Sequence, residues 1–339
     1  MRAAWISAGD DGRLRCGLCP HGCSIAEGKF GLCGVRGNSG GEAILPLAGR
    51  PSSLADDPIE KKPLYRFLPG TRIFSVGFYG CTMRCPFCQN WEISQTTSEF
   101  PPHLPPDALV AAARSSGCPS IAFTYSEPTV HFEYLLEAAT LARAAGLRTV
   151  LVTNGMLAEG PAEELLAVID AVNLDIKCYS AEVYRRTLGG DLEAVLNFAR
   201  IAARNCWLEA TTLVVPGLDD WEVAVAGIAD FLAGLSPHIP LHLSAYHPAW
   251  KYEAPPTSAN QLDRLRSLAA ARLDAVYVGN VAGESAIDRC KACGAVLVDR
   301  RGYRVGKIGL VGLQEIPGSP LEAPRARCMA CGQTAFFVL

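Results

Sequence analysis

No uninterrupted apolar stretch in the 339 residues is long enough to cross a bilayer, so a membrane span is not expected. The first residues, Met1-Arg2-Ala3-Ala4-Trp5-Ile6-Ser7, lack the apolar core of a secretory signal. A cytoplasmic location is therefore expected. There is no excess of positive charge either. A formal net charge of −3 gives no general attraction to nucleic acid or to an anionic membrane, although it leaves room for a local basic patch. No internal repeat and no long low-complexity tract occurs. With 49% hydrophobic residues the chain has material for a sizeable core, and its length suits one large α/β domain with small appendages.

Cysteine is what the sequence has in quantity. Eleven of the fourteen fall in three tight groups, a pattern that points to metal sites in a reducing compartment rather than to disulfides. Cys118, Cys178 and Cys206 stand alone on apolar segments and read as inert buried thiols. The middle group, Cys81-Thr82-Met83-Arg84-Cys85-Pro86-Phe87-Cys88, directly follows the strand-like run Ile73-Phe74-Ser75-Val76-Gly77-Phe78. Its three thiolates sit on one short loop, close enough for three corners of a [4Fe–4S] cube. An electron-transfer cluster usually has four cysteine ligands; three leave one iron open to a small molecule. Spacing alone leaves a zinc knuckle or chance clustering as the alternative.

The first group, Cys16-x2-Cys19-x3-Cys23-x9-Cys33, is followed by a Gly-rich turn and a connector with Pro46, Pro51, Pro58 and Pro63. That composition suggests a small metal-stabilised module and a linker, residues 1–65. Its four thiolates suit either a second [4Fe–4S] cluster that relays electrons or a structural zinc. His21, inside the loop, reads as a capping or surface residue. The last group is Cys290-Lys-Ala-Cys293-Gly and Cys328-Met-Ala-Cys331-Gly, flanking a hairpin-like stretch. Two such knuckles supply a closed four-sulfur shell, read as zinc in a ribbon-like module over 284–339, with rubredoxin-like iron the lesser option.

Between these modules, residues 66–283 alternate strand and helix. Strands are expected at 72–78, 119–124, 148–153, 171–176, 207–215, 240–246 and 275–279. Helical periodicity fills 107–115, 129–145, 161–168, 191–204, 220–234 and 258–272. Short loops and regular alternation imply parallel strands joined by right-handed crossovers: an α/β fold, a partial (β/α)6 TIM-like barrel with function at the carboxyl ends of its strands.

The strand tips carry a consistent polar set: Ser126-Glu127-Pro128, Thr153-Asn154-Gly155, Asp175-Ile176-Lys177, Thr211-Thr212 and Tyr246-His247-Pro248. With the cysteine triad this set resembles the radical S-adenosylmethionine (SAM) enzymes, and among them the glycyl-radical-enzyme activases. The text Cys16-Gly-Leu-Cys19-Pro-His-Gly-Cys23, Gly31-Leu-Cys33-Gly-Val-Arg36 and Cys88-Gln89-Asn90-Trp91-Glu92-Ile93-Ser94-Gln95 looks closer still to the radical SAM member of the AmmeMemoRadiSam system. The resemblance covers nearly the whole chain. It implies a [4Fe–4S] cluster on Cys81, Cys85 and Cys88, with Phe87 near the adenine of SAM. It implies Ser126-Glu127 at the methionine ammonium group, Thr153, Asp175 and Lys177 at the ribose and methionine end, and Lys177 with His247 at the carboxylate. An Asp175–Lys177 ion pair of purely structural role, and an edge role for His247, are the plainer readings. The reaction implied is reductive cleavage of SAM to a 5′-deoxyadenosyl radical that abstracts hydrogen from an unnamed substrate. The implied partners are an external flavodoxin- or ferredoxin-like electron donor and Memo-type and Amme-type proteins.

Two departures stand out. Activases carry an acidic residue immediately before Thr-Asn-Gly, where this chain has Val152; and where relatives have Gly-Gly-Glu it has Tyr125-Ser126-Glu127. The first puts a cation site in doubt and the second implies a differently shaped pocket. An activase acting on a protein glycine is the alternative function, weakened by Thr211 where activases carry an arginine for partner docking. A nucleic-acid-binding metal protein, invited by Arg300-Arg301-x2-Arg304, is the remaining reading.

Overall fold

The computed structural model describes residues 3–9, 11–95, 100–313, 321 and 324–339. Its centre is a sheet in which Arg72–Gly77, Ser120–Thr124, Arg148–Thr153, Ala171–Asp175, Trp207–Val214, Leu241–Ala245 and Val276–Gly279 lie side by side in chain order. All neighbours among these seven strands are parallel. Residues such as Ile73, Val76, Ile121, Val150, Leu174, Leu208 and Leu243 are fully buried, as expected of a parallel sheet covered on both faces. Each expected strand is present to within a residue or two at its ends.

One strand lies outside the sequence expectation. Ser53–Pro58, within the proline-containing connector, pairs antiparallel with Arg72–Gly77, running from Ser53 opposite Gly77 to Pro58 opposite Arg72. It is an edge strand with its proline at the last position, where the missing N–H does least harm to a ladder.

The crossover helices are Pro106–Ser115, Phe132–Ala144, Glu159–Leu166, Leu192–Asn205, Trp221–Leu235 and Ala259–Ala270. Asp191, Asp220 and Ser258 cap three of them by accepting first-turn amides. In Leu192–Asn205 the buried positions Leu192, Val195, Leu196, Ala199 and Ala202 form the 3–4-residue stripe that faces the sheet. The helix expected from 129 starts as a 3₁₀ turn, Pro128–His131, because Pro128 lacks an N–H and Glu127 caps the turn through Thr129.

At the C-terminal end, Ser285–Arg289, Val296–Arg301 and Arg304–Ile308 form an antiparallel sheet. It is fastened to the barrel by Arg300, which is wholly buried and binds Asp288, at 2.6 Å, and the carbonyl of Tyr65. Arg66 reaches the same Asp288 at 3.0 Å. Arg300 is thus withdrawn from any basic surface that the Arg300-Arg301-x2-Arg304 run suggested. No helix among the described residues is long and apolar enough to cross a membrane.

Candidate active site

A cavity of about 310 Å³ opens at the carboxyl ends of the strands and runs down into the barrel. Cys81, Cys85, Phe87 and Cys88 line it, together with Ser126, Asp175 and Lys177. The triad loop is held from two sides. Gly80, at φ +83°, brings the loop so close to the N-terminal module that a Cβ would lie 2.5 Å from the Cys33 carbonyl oxygen. His21 bonds the Thr82 carbonyl at 2.7 Å, and Arg84 reaches the Leu32 carbonyl while also holding that of Cys81 at 2.8 Å. From the opposite side, Lys251 donates its amide to Pro86 at 3.0 Å and Trp250 stacks on Trp91.

Each outer thiol has polar company. The Met83 amide and the Asn154 side chain lie 3.3 and 3.6 Å from Cys81 Sγ, and Ser94 Oγ lies 3.3 Å from Cys88 Sγ. Burial pushes Cys81 well above the ordinary thiol range and Cys85 up to about 11, so these two stay protonated as bare thiols. A soft metal is what draws such groups into the thiolate form. Three cavity-facing sulfurs with donors aimed at two of them fit an iron–sulfur cluster.

The residues that the resemblance assigned to SAM divide into three sets. Phe87, Ser126, Asp175 and Lys177 share the cavity wall. Lys177 Nζ lies 3.1 Å from Asp175 Oδ2; burial opposes its charge, but Asp175 and then Cys85 hold it above the usual lysine range. Glu127 and Thr153 form the second set, and they are wholly engaged behind the wall. Glu127 accepts from the Thr129 amide and hydroxyl, from Thr153 Oγ1 at 2.7 Å and from the Asn154 amide at 2.8 Å. Three of these donors converge on Oε1 and one reaches Oε2, so the buried carboxylate joins the tips of two strands from behind the cavity wall. His247 is exposed at the rim, 3.1 Å from the Asn280 carbonyl, and lies off the cavity.

Tyr125 and Ser126, in place of two glycines, keep the backbone that glycine would adopt, at φ +50° and +56°. That conformation costs roughly 1–2 kcal/mol per non-glycine residue. Anchors offset it: Ser126 Oγ donates to the Phe78 carbonyl at 2.8 Å, and Tyr125 donates to Asp57 at 2.7 Å beneath Lys62.

Among the cavity and near-cavity residues not chosen from sequence are Asn154, Glu60, Tyr65, Glu209 and His242. Asn154 stood in the quoted Thr-Asn-Gly tip. Glu209 is a carboxylate within a buried strand, and His242 shares the inward face with Ser244 two residues on; both signals are visible once strand period is applied. The quoted Cys88–Gln95 stretch also proves to face the site, since Gln89, Asn90, Ser94 and Gln95 line the cavity.

Residues 75–226 match the Radical SAM superfamily. The chain is 37% identical over 337 residues to an uncharacterized protein of Methanocaldococcus jannaschii, an alignment spanning 97% of both chains. It is 26% identical over 195 residues to the pyruvate formate-lyase 1-activating enzyme of Escherichia coli K12, covering 55% of this chain and 78% of that one. The chain belongs to the radical SAM superfamily. It is also 31% identical over 138 residues to the isethionate sulfite-lyase activating enzyme of Desulfovibrio desulfuricans, covering 40% of this chain and 43% of that one. Membership makes this radical SAM protein an enzyme of that class, for which a [4Fe–4S] cluster and SAM are implied; similarity to activating enzymes is part of the same finding.

The two outer cysteine groups differ in geometry. Cys290, Cys293, Cys328 and Cys331 present sulfurs that all lie within 4.8 Å of one another, with Cys290–Cys331 at 3.6 Å and Cys293–Cys328 at 3.8 Å. A tetrahedral ion with metal–sulfur bonds of about 2.3 Å separates its sulfurs by about 3.8 Å, so the set fits one metal ion. Cys16, Cys19, Cys23 and Cys33 gather in one loop system, close enough that each raises the pKa of Cys19, which burial pushes up to about 12. Among the described residues only the C-terminal quartet reaches single-ion spacing.

Proposed function

We propose that this enzyme binds SAM across the upper cavity and generates a radical there for a substrate held deeper in the barrel. The reading is carried by one observation: the cysteine triad and the Asp175–Lys177 pair line a single cavity at the carboxyl ends of the strands. Cys81, Cys85 and Cys88 would hold the cluster, which when bound would supply the one electron that reductive cleavage of SAM to methionine and a hydrogen-abstracting 5′-deoxyadenosyl radical requires. The protein's own residues orient and shield. Lys177, kept charged, attracts the methionine carboxylate, and Asp175 on the same strand face holds a ribose hydroxyl. Phe87, edge-on to Tyr252, gives the adenine an apolar wall. Ser126 turns its backbone towards the amino group, while Glu127 and Thr153 keep that turn and the Asn154 tip in register. Fixing the sulfonium beside the cluster is an orientation effect, and a dry cavity protects the radical.

The electron comes from an external flavodoxin- or ferredoxin-like donor. The C-terminal quartet takes zinc. The N-terminal quartet takes a second iron–sulfur cluster or zinc, and its contact to the triad loop through Gly80, His21 and Arg84 supports the cluster. The Cys88–Gln95 stretch supports membership of the AmmeMemoRadiSam system, with Memo-type and Amme-type partners and a cytoplasmic setting. Similarity to activating enzymes favours a second reading, an activase acting on a protein glycine. Anaerobically reconstituted protein, reduced in the presence of SAM, should yield 5′-deoxyadenosine, and Cys85→Ala should lose both cluster and product. Wild-type protein that holds its iron yet never cleaves SAM would overturn the reading.

A further inference from the structure

We propose that the outer side of the triad loop is the docking surface for the electron donor, an acidic protein that carries a single electron. The proposal rests on the radical SAM reading above, which calls for such a donor without giving its place of approach.

The cavity cannot admit a protein. At about 310 Å³ it holds small molecules, and in that reading SAM occupies it against the cysteines. The electron therefore has to arrive through the wall behind them. That wall is one residue thick. Along the loop, Cys81, Met83, Cys85 and Phe87 line the cavity, while Thr82 and Arg84 line a second cleft of about 420 Å³. Consecutive Cα atoms are about 3.8 Å apart, so this cleft stands next to the triad without being part of its cavity. The other flank of the loop is covered, since the Lys251 amide bonds Pro86 and Trp250 lies stacked on Trp91.

Both cysteine groups of the amino-terminal half border the cleft. Pro20 and His21 lie between Cys19 and Cys23, Leu32 precedes Cys33, and all three are on its wall. His21 and Arg84 pin the two loops together by bonding the Thr82 and Leu32 carbonyls. The facing wall comes from the turn Tyr184–Leu188. Its Leu188 carbonyl accepts the Arg84 amide at 2.7 Å, and its Tyr184 hydroxyl accepts the Lys177 amide at 2.9 Å. A partner seated here meets a surface already fixed by hydrogen bonds, so little ordering opposes its docking.

The sign of the surface runs against the net charge of −3 of the chain. Arg84 directs its guanidinium to the carbonyls of Leu32, Cys81 and Met83, and Arg185 is exposed on the facing turn. Neither has a carboxylate partner among the described residues. The acid on the wall, Asp191, accepts the Ala194 amide as a helix cap, and beside Arg185 the exposed Glu182 and Arg186 neutralise one another. Leu32, 56% exposed, adds an apolar contact between these charges. A small apolar spot rimmed by free cations fits the brief encounter of an acidic redox protein, steered by charge and released after transfer. The donor gives up one electron and the cluster takes up one; no bond forms or breaks at the cleft.

The test is calorimetric titration of the anaerobically reconstituted holoprotein with two probes, an oxidised flavodoxin and an oxidised plant-type [2Fe–2S] ferredoxin. At least one should bind. Arg185→Glu should weaken that binding about five-fold or more at low salt, and Arg185→Lys should restore it. The difference should fade near about 1 M salt, where the screening length falls to about 3 Å. Lys251→Glu, on the tryptophan flank, should bind as wild type does. Amide exchange in the complex should slow at residues 20–22, 32–34 and 184–190. No binding of either probe, unchanged binding by Arg185→Glu, or slowing centred on Trp91 and Trp250 would overturn the surface. Formation of 5′-deoxyadenosine with dithionite, a reductant that needs no docking, is measured separately and should be equal in wild type and Arg185→Glu. A failure of the SAM reading is thereby distinguishable from a failure of the docking surface.

Discussion

Asn154 Nδ2 lies 3.6 Å from the sulfur of Cys81 and 3.1 Å from Thr82 Oγ1, so one side chain tethers a cysteine of the triad to the tip of the third barrel strand. Hydrogen bonds to ligand sulfur favour the more negative, reduced state of a cluster. If the bond is stronger to the reduced form by about 1 kcal/mol, its loss lowers the potential by roughly 40 mV. Asn154→Leu is therefore expected to keep its iron and to be harder to reduce, as read by a redox titration followed by electron paramagnetic resonance. An unchanged midpoint would reduce Asn154 to a structural tether.

Lys177 and His247 separate where the sequence grouped them. Lys177 faces the cavity and has its charge supported by Asp175, whereas His247 stands exposed at the rim against Asn280. Lys177→Ala should weaken SAM binding about ten-fold or more, since a charge-assisted contact is worth roughly 1.5–3 kcal/mol. His247→Ala should leave affinity within about two-fold, as expected for a surface change. Calorimetric titration of SAM into both variants decides this, and iron content serves as the control.

Ser126 makes a prediction about backbone rather than charge. At φ +56° it occupies the conformation that glycine takes freely, and its hydroxyl bond to Phe78 offsets the strain. Ser126→Gly gives up the bond and the strain together and should be close to neutral in thermal unfolding. Ser126→Val gives up the bond and adds a β-branched carbon, so it should be less stable than Ser126→Gly by roughly 1–2 kcal/mol. Equal stability of the two would mean that the turn relaxes easily.

The order of these residues along the chain explains how much was legible. Strand and helix positions followed from local periodicity, and the triad and the Asp175–Lys177 tip followed from their place after strands. The edge strand Ser53–Pro58 was hidden because its apolar content is low and its pairing is with a strand that only the folded sheet supplies. The engagement of Glu127 was hidden for a similar reason: its donors, Thr129, Thr153 and Asn154, come from two segments, and the sequence does not say which way a carboxylate turns. The meeting of Glu60, Glu209 and His242 needed three elements at once, the connector and two strands, and no local spacing records it. Arg300 shows the reverse, a residue whose basic neighbours suggested a surface and whose partners, Asp288 and Tyr65, bury it.

The C-terminal quartet should behave as a structural site separable from SAM chemistry. Its sulfurs already stand at the spacing of one tetrahedral ion, and four thiolates leave no open position for a substrate. The core around it is small, formed by Leu297, Val298, Leu310, Ala326 and Phe337, so the metal should provide much of the local stability. The double variant Cys328→Ser with Cys331→Ser is expected to lose about one equivalent of zinc, counted by plasma emission spectroscopy. Amide exchange should then quicken across Ser285–Ile308 and Leu310–Gly312 while the barrel strands stay protected. The triad should keep its iron and continue to cleave SAM, because its ligands and the Asp175–Lys177 pair lie on barrel loops. A double variant that retains zinc, or that loses iron from the triad instead, would show that the metals are assigned to the wrong cysteines.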